Sequence, residues 1–166
     1  MNIAGALEEI GHLLSGVQPS GYAPALGVYE FPADVDEIVQ LTQTGGFEAF
    51  PRGIVSQSPN VLNQIVRRAT NAYSCYWEAE IVVLLRAGRV DRATDLAAVE
   101  AEGQAWATAF LADLLANPSL TGLVLYVGRP ADPSPVFEWQ CQHLLWENKI
   151  YFGVRFIVPI IQEFTN

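Results

Sequence analysis

The chain predicts an α+β fold, a mainly antiparallel sheet with helices packed on one face. Three observations point there. Apolar residues recur three and four apart over residues 3–14 and 91–116, the period of a half-buried helix. They alternate from Trp77 to Leu85, the period of a half-buried strand. The segments run helix, strands, helix, strands. At 166 residues this is one domain, 1–166, long enough to bury a single core, with a loop excursion at about 31–51.

In chain order, Ile3, Leu7, Ile10 and Leu14 share one helical face, and Gly16 is placed to stop that helix. Gln18 to Pro32 holds three prolines and two glycines, so it reads as an extended connection with a short strand within Ala25 to Phe31. Asp34 to Leu41 clusters Val35, Ile38, Val39 and Leu41, enough for one or two helical turns, before Gly45-Gly46 breaks them. The whole of Phe31 to Pro51 reads as an excursion carrying exposed Phe47 and Phe50. These are either an interface or aromatics that pin the loop to the body.

Gly53 to Gln57 and Val61 to Arg67 are strands around the turn-forming Ser58-Pro59-Asn60. Tyr73 to Arg86 is the clearest strand. Trp77, Ala79, Ile81, Val83 and Leu85 line one face, and Glu78 and Glu80 start the other. Ala87-Gly88-Arg89 is a turn.

Asp91 to Ala116 is the main helix, with Asp91 or Thr94 as its cap and Asn117-Pro118 as its end. Its stripe is Leu96, Val99, Gly103, Trp106, Phe110 and Leu114. Glycine inside a helix costs roughly 1 kcal/mol relative to alanine, so Gly103 predicts a close approach of helix to sheet. Leu120 to Val127, Val136 to Leu144 and Lys149 to Ile161 have strand character. Gly128 to Pro135 and Glu147-Asn148 connect them. Tyr22 to Phe31 and Lys149 to Ile161 are expected as edge strands open to a neighbour.

Composition narrows the function. With 51% hydrophobic and 16% charged residues, the chain has the balance of a folded protein, not a disordered one. The apolar surplus, with a mean hydropathy of +0.20, suggests surface buried between subunits. A net charge of -9 and a single lysine, Lys149, argue against gripping DNA, because that affinity needs clustered cations. The same negative charge suits a channel through which DNA slides. Cys75 and Cys141 form no disulfide framework and read as small apolar residues of a reducing interior. The chain opens with no signal-peptide pattern, and its apolar runs are too short to span a bilayer, so no membrane partner is expected.

Chemistry has little support. Cys141 and His143 share one strand face, but zinc would need two more ligands, with only His12 and Cys75 left among histidines and cysteines. No nucleophile elbow, dinucleotide fingerprint or phosphate loop occurs, so no cofactor, metal or catalytic residue is assigned. Glu78, Glu80 and Glu138 read as a solvated face before an acid–base pair. Arg67-Arg68, the one adjacent basic pair, suits an ion pair, either within the chain or to a neighbouring subunit. Trp106 belongs in the core by spacing, whereas Trp139, beside Phe137 and Cys141, serves core or contact. Phe47, Phe50, Arg67, Arg68 and Trp139 are therefore the candidate interface residues.

The helix of Asp91 to Ala116 around Trp106, the turn Leu114 to Gly122, and Tyr151-Phe152-Gly153-Val154 together resemble the tail terminator proteins of long-tailed phages. The resemblance covers about the second half of the chain. It implies a non-enzymatic virion protein of the tail and neck, assembled in the host cytoplasm. Such a protein forms a homo-oligomeric, hexameric ring on the major tail tube protein, ends tube growth and meets the head–tail connector. DNA would pass through its lumen without specific binding. The alternatives are a neck or head-completion connector, or a small-molecule-binding α+β enzyme with a pocket beneath the long loop.

Overall fold

The computed structural model describes residues 2–31, 46–59, 63–128, 137–146 and 148–165. Two long strands organise everything else. β4 (Ala72–Ala87) and β7 (Lys149–Thr165) pair antiparallel over their whole length, from Ala72 opposite Thr165 to Ala87 opposite Tyr151. The outer edge of β4 is shared by β2 (Arg52–Gln57) and β3 (Gln64–Ala69), each on its own half. The outer edge of β7 is likewise shared by β5 (Tyr126–Val127) and β6 (Glu138–Trp146). β1 (Val28–Glu30) adds to β2 as the one parallel pair among the described residues.

The fold is thus the expected α+β class, with α1 (Ile3–Gly16) and α2 (Ala93–Ala116) on one face of a seven-stranded sheet. No helix among the described residues is long and apolar enough to cross a membrane.

Strand alternation builds the main core. Cys75, Trp77, Ala79, Ile81, Val83 and Leu85 of β4 meet Phe152, Val154, Phe156, Val158 and Ile160 of β7 on the helix side, all buried. α1 contributes Ala6, Leu7, Ile10 and Leu14, and α2 contributes Val99, Trp106, Phe110 and Leu114, each set on one helical face. Burying each large side chain is worth about 1.5–3 kcal/mol, so this interlayer region dominates stability. Phe110, Phe137 and Phe156 form its aromatic centre, with ring centroids 5.3–5.9 Å apart.

Two local devices join helix to sheet. A β-bulge between Leu84 and Arg86 turns Arg86 toward the helix side, where it pairs at 2.9 Å with buried Glu102 of α2. Opposite that bulge, a side chain on Gly153 would strike the carbonyl oxygen of Val83 and the Cα of Leu84, so only glycine fits. Gln162, buried on β7, donates to the carbonyls of Asn2 and Leu123 and ties the start of α1 to the turn after α2.

Several expectations need correction. Lys149 to Ile161 is not an edge: β7 is central and paired on both sides, whereas β1 does lie at the sheet margin. Leu120 to Val127 is mostly not strand. Leu120–Gly122 is a 3-10 turn in which Leu120, Thr121 and Gly122 all take positive φ, leaving only β5 extended. Neither Asp91 nor Thr94 caps α2; Arg92 occupies that position without a side-chain hydrogen bond. The helical turns expected at Asp34 to Leu41 lie outside the described residues. So do the start of the Val61 strand and nearly all of the Gly128 to Pro135 connection.

Candidate assembly interface

Alternation leaves two strand margins exposed on opposite sides of the sheet. β3 is the first. All six of its residues are exposed, including Ile65 at 57% and Val66 at 41%, and β3 pairs only with β4 among the described residues. Its register sets Ile65 and Arg67 on the helix side, opposite Cys75 and Tyr73, and Val66 on the other side, opposite Ser74.

The two arginines are held differently. Arg67 donates to the carbonyls of Ala69 and Thr70 in the β3–β4 turn, at 3.2 and 3.1 Å. Arg68 donates to the hydroxyls of Ser74 and Tyr76, and its guanidinium lies 5.9 Å from the centre of the Tyr76 ring. Among the described residues neither meets a carboxylate, so the intrachain salt bridge expected for this pair is replaced by hydrogen bonds to oxygen atoms of the same hairpin.

β6 is the second margin. Glu138, Trp139 and Gln140 are all exposed, and β6 pairs only with β7 among the described residues. Trp139, 44% exposed, stands on the helix side opposite Phe156, while Glu138 stands on the other side opposite Ile157. Beside Trp139 an open groove runs between strand and helix, lined by Glu100, Ala101 and Gln104 of α2 and by Gln140 and Cys141 of β6. Burial, and then the nearby Glu100 carboxylate, push the Cys141 thiol up to about 11. It is a neutral wall of this groove and no nucleophile at ordinary pH.

Phe47 does not fit the expectation of an exposed aromatic. It is buried at 4%, with ring centroids 5.8 Å from Tyr29 and 6.1 Å from Tyr151, and its amide donates to the Tyr151 hydroxyl. Phe50 is half-buried against the same tyrosine. Gly46 makes this approach possible: its φ is +85° and a side chain there would strike the Tyr151 hydroxyl. These rings fill one end of the helix-free face with Ile54 and Leu84, so the described part of the loop is pinned to the body by its aromatics.

The remaining candidates separate in space. Glu78, Glu80 and Glu138 all lie on the helix-free face, where Glu80 accepts from Arg155 at 2.7 Å. His143 shares the helix side with Cys141, as its spacing predicts. It stacks edge-on against Phe152, and its Nε2 accepts from the Val90 amide. No group of three metal-ligating side chains occurs among the described residues.

Sequence reasoning missed the exposed pair Ile65–Val66, which reads like any apolar strand, and Glu100, which reaches the Trp139 groove from a helix distant in sequence. No local signal marks β3: β2, of the same length, also sets two apolar residues side by side, Ile54 and Val55, and buries both. The chain matches no family model, and no curated protein matches it.

Proposed function

We propose that this chain is a structural virion protein that forms a ring, likened above to the tail terminators, which caps the tail tube and ends its polymerisation. One observation carries the reading: two exposed strand margins, β3 and β6, lie on opposite sides of a single sheet. Unlike surfaces on opposite sides of a subunit join head to tail, and repetition about an axis closes a ring with no margin left over. Arg67 and Arg68 sit at one margin and Trp139 at the other. Phe47 and Phe50 act from beneath, by fixing the shape of the helix-free face.

Further support comes from the residues of the resemblance. Trp106 is wholly buried under the sheet, and Gly153 lies opposite the bulge where the two long strands pair, so these positions serve a framework. Glu78, Glu80 and Glu138 share the helix-free face, and a net charge of -9 suits a lumen that DNA traverses without sticking. The partners are further copies in a hexameric ring, the major tail tube protein and the head–tail connector. The protein acts by shape, without catalysis.

Electron microscopy of particles from a null mutant tests this. Overlong tails unattached to heads are the expected result. Normal-length free tails with leaky heads would place the protein among head-completion connectors instead, and turnover of a substrate by the purified chain would end the assembly reading.

A further inference from the structure

We infer that the first half of β3 of one subunit docks on the start of β6 of the next, Gln64 to Val66 against Gln140 to Glu138, making one sheet that continues from copy to copy, with Ile65 set against Trp139. The inference takes the second copy as partner from the ring reading above. The contact itself is argued from the two margins.

Direction comes first. β3 runs antiparallel to β4, β4 to β7, and β7 to β6, so β3 and β6 point in opposite senses. A neighbouring β3 placed beside β6 by rotation therefore meets it antiparallel, and both can exchange main-chain hydrogen bonds.

Side chains come next. With Ile65 opposite Trp139, both stand on the helix side of the joined sheet, an aromatic against a β-branched residue. Arg67, two residues along the same face, falls opposite Phe137 and so diagonally beside the Trp139 ring, on the side away from the groove. On the other face Val66 stands opposite Glu138, and Arg68 falls diagonally beside that carboxylate. The helix-free face of the seam thus receives an arginine and a glutamate, and the helix side an aromatic–aliphatic pair. The wrong register by one residue would put Ile65 on the acidic face and lose both matches.

Geometry supplies an independent check. Ile65 lies at the level of Gln162 on β7, through Cys75, while Trp139 lies at the level of Phe156. At about 3.3 Å per residue the two margins are offset by roughly 20 Å along the strands. From β3 of one copy to β3 of the next there are four strand spacings, roughly 19 Å at about 4.8 Å each. Joining copies in this register tilts the strands by about 45° to the ring axis, at the upper end of the ~35–45° that closed barrels adopt. An offset of this size is what closure demands of a ring whose strands form one continuous wall.

The seam is small for a stable pair, because one short strand buries less than the ~1,200–2,000 Å² of ordinary specific interfaces. The ring should therefore form at high concentration or on the tube, and weaken with salt.

Charge reversal tests the seam. Sedimentation of the full chain at rising concentration, with and without assembled tail tube, should show wild-type rings. R68E and E138R should each stay monomeric and fail to cap tubes. An equimolar mixture of the two, or one chain carrying both changes, should recover rings, which also shows that the variants fold. In a second measurement, oxidised I65C/W139C should give a ladder of cross-linked oligomers that neither single variant gives.

Rings formed by the reversed chains, no ladder, or a wild-type chain monomeric with and without tube would each overturn the seam. Tube capping by unlinked, reversed chains would overturn it while sparing the tail reading. Rescued rings that ignore tubes would do the opposite.

Discussion

Gly103 on α2 and Cys141 on β6 lie so close that a methyl group on the glycine would take the space of the cysteine sulfur. The long helix is drawn onto the sheet at this point, one wall of the Trp139 groove, and the glycine is the condition for it. The contact links a break in a helical stripe to the shape of the β6 margin.

Replacement of Gly103 by alanine should accordingly set two effects against each other. Helix propensity favours alanine by about 1 kcal/mol, while overpacking costs about 1–3 kcal/mol. Urea unfolding of G103A should show a net loss of stability. In a C141A background, where the sulfur is gone, the same change should be neutral or stabilising. A double-mutant cycle with no coupling would mean that the helix can move off the sheet at no cost.

Gly153 should behave differently. A side chain there meets the main chain of β4, at Val83 and Leu84, so no second substitution can make room. G153A should cost more than G103A, about 3 kcal/mol or above, and no change at a neighbouring side chain should restore it. Unfolding midpoints of the variant with and without V83A check this.

Phe47 tests whether the loop aromatics serve the fold of one subunit or contacts between subunits. Because its ring is buried against Tyr29 and Tyr151, F47A should destabilise the isolated chain by about 3 kcal/mol. A monomer of unchanged stability would return Phe47 to the interface.

The half-buried Cys141 thiol gives a pH signature. Its pKa is raised from 9.0 to about 11, first by burial and then by Glu100, and burial pushes the Cys75 thiol up as well. The folded state therefore holds these protons more tightly than the unfolded chain. The Cys141 contribution to stability is full below pH 9 and is lost as pH rises through 9 toward 11. Carbamidomethylation of Cys141, followed by peptide mass mapping, should rise with a midpoint near 11 and not near 9.

Periodicity made the interlayer core legible. The alternation from Trp77 to Leu85 named the buried face of β4, and the stripe through Val99, Trp106, Phe110 and Leu114 named that of α2. Gly103 even disclosed the close approach. Alternation reports which face a residue takes, not which strand lies beside it. Lys149 to Ile161 therefore read as a margin, although β7 is paired on both sides.

Local backbone chemistry hid other features. Leu120 to Val127 has the residues of a strand, yet consecutive positive φ values at Leu120, Thr121 and Gly122 fold it into a turn. The Arg86–Glu102 pair was not legible, because the bulge that brings Arg86 to the helix has no signature of its own. The Trp139 groove joins a helix to a strand about forty residues on, and only tertiary structure brings Glu100 there.

The central claim is that this chain stops a growing cylinder by docking on its end. Purified chain added to polymerising major tail tube protein, with tube length read by electron microscopy, tests it most directly. Sub-stoichiometric chain should shorten the tubes and appear as a ring at one end only. Tubes of unchanged length with bare ends would contradict the account.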